Sequence, residues 1–399
     1  MSASRKISAD LVFPVSAPPV RNGILIIDHT GKILDLIDPA KAGTIPFEVE
    51  SFDGILCPGF VNTHCHLELS WLRNKIPEKT GLGEFVVAVQ TAKREALTNE
   101  IQQAVDDAHR EMSENGIVAV GDISNTDYSF HVKRSGKIHY HTFIEIYGSN
   151  PQTAEEKFAR ALALWHTLTE KYSLQGSITP HATYSVSKPL FKMIKQHAET
   201  VHSILSLHHQ ETPDENLLFM NKTGWIVESM KKLGIDYSWF EPTGKSPLES
   251  VAEGLPSTNP LLLVHNTFSS KEDVDFALRT FKNVYWGLCP NANLYIENRL
   301  PDIPLLREKT QKLTIGTDSP ASNDRLSVLE ELKTIARAFP DLSLAELLRW
   351  ATLNGAEFLG IDRQYGSFDI GKTPGINLIT NTMKNKPVLS DKSEVIRLA

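Results

Sequence analysis

Apolar and polar positions divide the chain into three regimes. Up to residue 57, short apolar runs such as Ile24-Leu25-Ile26-Ile27 and Ile33-Leu34-Asp35-Leu36-Ile37 flank Thr30-Gly31, the pattern of short strands joined by a turn. From residue 58 to 365, strand-like runs alternate with longer amphipathic stretches. The runs are Gly59–Leu67, Ile117–Asp122, Ile138–Ile146, Gln175–Pro180, Ile204–His209, Pro260–His265, Asn283–Leu288 and Leu313–Thr317. Helix-like stretches between them include Thr98–Asn115, Ala154–Tyr172, Lys188–Val201, Lys271–Phe281 and Leu326–Phe339, and Ser343-Leu344-Ala345-Glu346 reads as a capping box that starts another. After residue 365 the short-strand character returns, with Gly366–Gly371 leading through Thr373-Pro374-Gly375 to the apolar run Ile376–Thr380.

Alternation of strand and helix implies parallel pairing through crossover helices, and eight repeats in about 250 residues favour a closed (β/α)8 barrel over an open sheet. The expected architecture is α/β: a TIM barrel over residues 58–365, and a small β-sandwich built from residues 1–57 and 366–399. Chain termini often lie close together, which makes that joint assembly of the two ends reasonable.

Composition narrows the function classes. Of 399 residues, 41% are hydrophobic and 22% charged, with a formal net charge of −7. A nucleic-acid-binding surface would normally carry a basic patch, and no apolar run approaches the ~18 residues of a membrane helix. Arg5, Lys6, Asp10 and Pro14 do not have the order of a signal peptide. Three cysteines, Cys57, Cys65 and Cys289, make no disulfide framework. The expectation is a soluble, cytoplasmic protein with a small-molecule substrate, no nucleic-acid or membrane partner, and self-association left open.

In a barrel, chemistry gathers where strands end. The first strand ends Asn62-Thr63-His64-Cys65-His66, and positions i and i+2 of a strand share a face, so the two histidines pair while Cys65 points away. In Leu205-Ser206-Leu207-His208-His209, the leucines belong against the outer helices; His208 then points inward and His209 outward, with Glu211 at the mouth. The fourth and sixth strands end on His181 and His265, and Asp318 shares the small inward face of Thr314 and Gly316. Any single strand-end histidine is as readily a polar residue at a solvated rim. Together, though, inward histidines and an aspartate provide N/O ligands for a divalent ion, with a carboxylate left over for proton transfer. His109, His166, His197 and His202 fall on or beside helices and read as surface residues.

The ordered segments PGFVNTHCHLE, ITPHATYS, LSLHHQET, LLLVHNTF, CPNANL and IGTDSPASN resemble the metal-dependent amidohydrolase superfamily. The likeness is to its aminohydrolase branch of nucleoside and nucleobase deaminases and chlorohydrolases, including the aminodeoxyfutalosine deaminases. It spans nearly the whole chain. It implies His64, His66, His208 and Asp318 as ligands of one divalent metal, zinc or alternatively iron, since no lysine ends the fourth strand where binuclear members carry one. It further implies Glu211, His265 and Asp318 as catalytic residues, and His181 as a substrate contact. The Gly83–Glu95 segment lacks the W-P-x-E of the S-adenosylhomocysteine group, and its arginine, Arg94, is a candidate substrate contact. Tyr184 and Asn293 are read as further pocket residues. The implied reaction is hydrolytic deamination of a purine-like base or nucleoside: aminodeoxyfutalosine first, then adenosine-type thioethers, adenosine or guanine. Hydrolysis of a chlorotriazine or cyclic amide is the enzymatic alternative, and an inactive binding protein on the same scaffold is the alternative of another class.

Overall fold

Strands β1 (Arg5–Val12), β2 (Val20–Arg21), β3 (Ile24–Ile27), β4 (Ile33–Ile37) and β5 (Glu50–Pro58) open the chain. The strands β6 (Phe60–Cys65), β7 (Ile117–Ser124), β8 (His139–Ile146), β9 (Gln175–Pro180), β10 (Leu205–His209), β11 (Leu261–His265), β12 (Val284–Leu288) and β13 (Leu313–Ile315) alternate with helices, and β14 (Ile376–Thr380) and β15 (Glu394–Arg397) end it. This computed structural model describes residues 4–44, 46–94, 96–382 and 387–399.

Both ends of the chain meet in one sheet. Its order is β15-β14-β5-β1-β3-β4, with β2 beside β1; β5 lies parallel to β1, and β14 antiparallel to β5. The strands of the expected sandwich thus form a seven-stranded mixed sheet. Its apolar face gathers Ile7, Val12, Leu25, Ile33, Leu56, Phe368 and Leu378.

The eight middle strands form two parallel four-stranded sets, β6-β7-β8-β9 and β10-β11-β12-β13. Hydrogen bonds close the ring at two seams. Between β9 and β10, the backbone N–H of His208 donates to the carbonyl of His181 at 2.9 Å, and that of Ser206 to Thr179 Oγ1 at 2.8 Å. Between β13 and β6, the N–H groups of Thr317 and Asp318 both reach the carbonyl of His64, at 3.0 and 3.1 Å. Barrel closure is therefore made by the strand-end residues that carry the chemistry.

Outward side chains such as Leu205, Leu207, Leu261 and Leu263 are fully buried under the helices, each worth about 1.5–3 kcal/mol of apolar burial. Inside the ring, Val61, Ala119, Phe143, Leu262 and Tyr285 pack with Phe358 of the helix Leu353–Phe358, which plugs the floor. A Cβ on Gly355 of that helix would lie 2.8 Å from a Val61 methyl, so glycine permits the close approach. His109, read as a surface residue, is buried instead, its Nδ1 2.8 Å from the hydroxyl of Tyr140.

Candidate active site

Simple alternation along β6 would carry Val61, which faces the interior, onto the same side as Thr63 and Cys65. A bulge prevents this. Asn62 pairs with Val120 and Cys65 with Asp122, three steps against two, so the extra residue turns the strand. His64 and His66 consequently face the interior, and Cys65 lies in the outer apolar layer. The exit of β6 is held by Asp122, which accepts the N–H of Leu67 at 2.8 Å and pairs with fully buried Lys133 at 2.6 Å.

Two other site residues arrive by unusual backbone. His265 has φ 73° and Asp318 φ 54°, conformations that cost a non-glycine residue on the order of 1–3 kcal/mol and concentrate at functional sites. Leu262 and Val264 face the barrel interior, so regular alternation would send His265 outward. Its left-handed backbone brings it back, within 5.7 Å of the His64 ring between centroids.

The four expected ligands converge. His66 Nε2 lies 3.1 Å from His64 Nε2 and 3.2 Å from His208 Nε2, while Asp318 Oδ1 stands 3.5 Å from His66 Nε2 and 3.7 Å from His64 Nε2. Tetrahedral ligands at ~2.0–2.1 Å bonds sit about 3.3 Å apart, so these spacings fit one small divalent ion. The donor set agrees. Nδ1 of His208 donates to the carbonyl of His181 at 2.8 Å, leaving Nε2 as a lone pair aimed at the cluster. Burial and mutual proximity hold His64 and His66 well below the usual histidine range, and burial takes His208 to about 3. Three buried imidazoles that resist protonation and converge through Nε2 are suited as ligands to a divalent cation. His64, His66 and His208 together form a group that could hold one divalent metal ion.

Glu145, His181 and His208 also lie close together, but His208 has no nitrogen to spare for a second ion. One is bonded to a carbonyl and the other belongs to the first cluster.

Glu211 faces His265 across 3.6 Å between Oε1 and Nε2. Its carboxyl is held well above the usual range, first by burial and then by the charge of Asp318. Glu215 accepts the backbone N–H of Glu211 at 2.8 Å and fixes the loop that presents it. Ser322 donates to Asp318 Oδ2 at 2.5 Å, which aims Oδ1 at the histidines. His209 points away and bonds Asn266 Oδ1 at 3.0 Å, as the alternation of β10 requires.

These groups open into a cavity of about 580 Å³ under helix α1 (Gly81–Lys93). Leu82, Phe85, Val86, Val89, Gln90 and Lys93 of α1 line it at helical spacing. Arg94, His181 and Tyr184 reach the same cavity. The substrate-facing position expected of Asn293 is not the one it occupies. Asn293 is fully buried behind His265, receiving its Nδ1–H at 2.8 Å, and works on the histidine. The sequence reading missed Glu145 and Lys93, which also line the cavity. Glu145 carried a signal: it sits one residue before the end of β8, on the face shared with Phe143.

Comparison with known proteins agrees with this geometry. A Helicobacter pylori protein named adenosine deaminase is 26% identical over 313 residues, 78% of this chain and 75% of that protein. The crystal structure of Helicobacter pylori aminofutalosine deaminase in complex with methylthio-coformycin superposes with a TM-score of 0.79 at 24% identity, covering 95% of this chain and 93% of that one. An adenosine deaminase from Xanthomonas campestris with bound zinc gives 0.76 at 22% identity, covering 96% and 88%. With the model of the amidohydrolase family matching residues 55–397, the chain belongs to that family.

Proposed function

We propose that this protein is a metal-dependent aminohydrolase that removes the exocyclic amino group of a purine nucleoside as ammonia, using one divalent ion, zinc first. The observation that carries this reading is Glu211, a buried carboxyl 3.6 Å from His265 beside the nitrogen cluster and open to the cavity. A bound divalent ion would be held by His64, His66, His208 and Asp318 and would supply Lewis acidity that acidifies water.

The chain's own groups do the rest. Asp318 accepts a proton from the attacking water, and His265 Nε2 holds that water in line. As the new C–O bond forms at the aminated ring carbon, Glu211 gives its proton to the adjacent ring nitrogen. The proton taken up by Asp318 then passes to the amine, the C–N bond breaks as the new hydroxyl returns its proton to Glu211, and ammonia leaves with the oxo product behind. Departure of an amine from an aromatic ring requires protonation of the ring nitrogen, and a buried carboxyl whose hold on its proton is strengthened by burial is suited to it.

Lys93 and Arg94 on the cavity wall support a substrate with an anionic or polar extension, and aminodeoxyfutalosine is our first candidate. The test is ammonia release from a panel of aminated purines and nucleosides by protein carrying one equivalent of zinc. Turnover should fall by about 10²–10⁴-fold in Glu211→Gln with its metal retained. Silence across the panel, together with dechlorination of a chlorotriazine, would overturn the reading.

A further inference from the structure

Glu145 is a buried acid with an unfilled bonding position. Its side chain is 4% exposed, yet it lines the active-site cavity. Oε2 accepts from Asn125 Nδ2 at 3.2 Å, and Asn125 is itself anchored through its backbone N–H to Glu68. Oε1 has no hydrogen-bond partner. The nearest candidate within the protein, His208 Nδ1, lies 3.5 Å away and already donates to the carbonyl of His181 at 2.8 Å. A desolvated acceptor without a donor is costly, and the arrangement makes sense if a ligand supplies the donor.

The position of Glu145 says which part of a ligand that is. In strand order around the barrel, Glu145 comes on β8, His181 just after β9, His208 on β10 and His265 on β11, with Glu211 beyond β10 facing His265 and Glu145 beside both His181 and His208. Ring centroids step from His265 to His208 by 5.5 Å and from His208 to His181 by 4.8 Å. The reacting ring belongs beside Glu211 and His265. A substituent leaving that ring toward β8 and β9 meets His181 and Glu145, which line the same cavity. Lys93 lines the same cavity and its positive charge already acts on Glu145 and Glu68, so a second cation is disfavoured there, whereas a neutral hydroxyl meets no such repulsion. A carboxylate anchored through one oxygen offers the other to O–H donors of a sugar.

Building on the nucleoside reading, we propose that Glu145 is a specificity-determining residue that accepts a hydrogen bond from a hydroxyl of the substrate's ribose and so selects ribosides over free bases and deoxy analogues. The test compares adenosine with 2′,3′-dideoxyadenosine and adenine in the wild-type zinc enzyme, in Glu145→Gln and in Glu145→Ala. Glu145→Ala should raise KM for adenosine about 10–100-fold, the worth of a hydrogen bond to a charged group. Values of kcat for adenosine, and both constants for the dideoxy substrate and the base, should stay near wild type. Glu145→Gln, which keeps an acceptor, should recover part of the loss.

An equal penalty on all three substrates, or loss of zinc from Glu145→Ala, would overturn the proposal and make Glu145 a support of His208. The deaminase reading fails separately, by absence of ammonia from every substrate. Calorimetric binding of inosine against 2′,3′-dideoxyinosine needs no turnover: wild type should prefer inosine by the same factor, and no preference would overturn the role of Glu145.

Discussion

His265 offers Nδ1 to the side-chain oxygen of Asn293 at 2.8 Å, and both residues are sealed from solvent. The Asn293 amide nitrogen turns toward the carbonyl of His265, which orients its oxygen at the ring. Nδ1 therefore keeps its proton, and Nε2 faces Glu211 as an acceptor. Asn293→Ala should lower kcat about 10–100-fold, the usual cost of losing a histidine's outer partner, while zinc stays at one equivalent by elemental analysis. Unchanged kcat would mean that the backbone at φ 73° suffices to place His265.

A single methyl group should damage the metal site. A Cβ on Gly316 would lie 2.8 Å from the Cβ of His64 and 2.8 Å from Cys289 Sγ. Gly316→Ala should push the His64 strand end away and weaken zinc binding at least tenfold in a competition titration with a chromophoric chelator. The circular dichroism of the variant should match wild type.

Metal binding is linked to stability. A ligand that binds only the folded state adds about 2.7 kcal/mol at a concentration of 100 times Kd. Removing zinc with a chelator should lower Tm in the wild type. His66→Ala, which removes the nitrogen central to the cluster, should already melt at the lower temperature and show no response to chelator.

The Asp122–Lys133 pair is buried at 0% exposure on both sides. Lys133→Met leaves the Asp122 carboxylate without its cation and should destabilise the fold by about 3–5 kcal/mol. Adding Asp122→Asn should restore part of that in urea unfolding, because two neutral groups cost less than one stranded charge.

Glu215 gives a pH signature. Burial raises its carboxyl from 4.5 to about 7, so the folded protein binds this proton more tightly than the unfolded chain. Its stabilising contribution is complete below pH 4.5, declines as pH rises toward 7, and is spent above it. That amounts to on the order of 3 kcal/mol at about 1.36 kcal/mol per unit. In metal-stripped protein, the urea stability of wild type relative to Glu215→Gln should fall between pH 5 and pH 8, the comparison removing the opposite contribution of the buried histidines.

The barrel was legible because strand and helix periods differ, and eight alternations leave few ways to bury both leucine-rich faces and helix stripes. The choice of His208 over His209 was legible for the same reason: Leu205 and Leu207 needed the outer layer, and alternation did the rest. His265 was legible only as a strand-end histidine with no direction, since its inward turn depends on a left-handed backbone that no local pattern signals. Asn293 was placed wrongly because the sequence names an amide near the site without saying on which side of His265 it lies.

By itself, then, the sequence determined the order of strands, the inward identity of His208, and the supply of nitrogen and carboxylate ligands. These follow from the period of a strand and from the chemistry of side chains, which are local properties. Only the tertiary structure decided that the β6 bulge aims His64 and His66 inward, that closure of the ring at His181–His208 and His64–Asp318 assembles the site, and that Glu145 keeps an unpaired oxygen on the cavity. Those depend on distances between residues far apart in the chain, and such distances exist only once the barrel has closed.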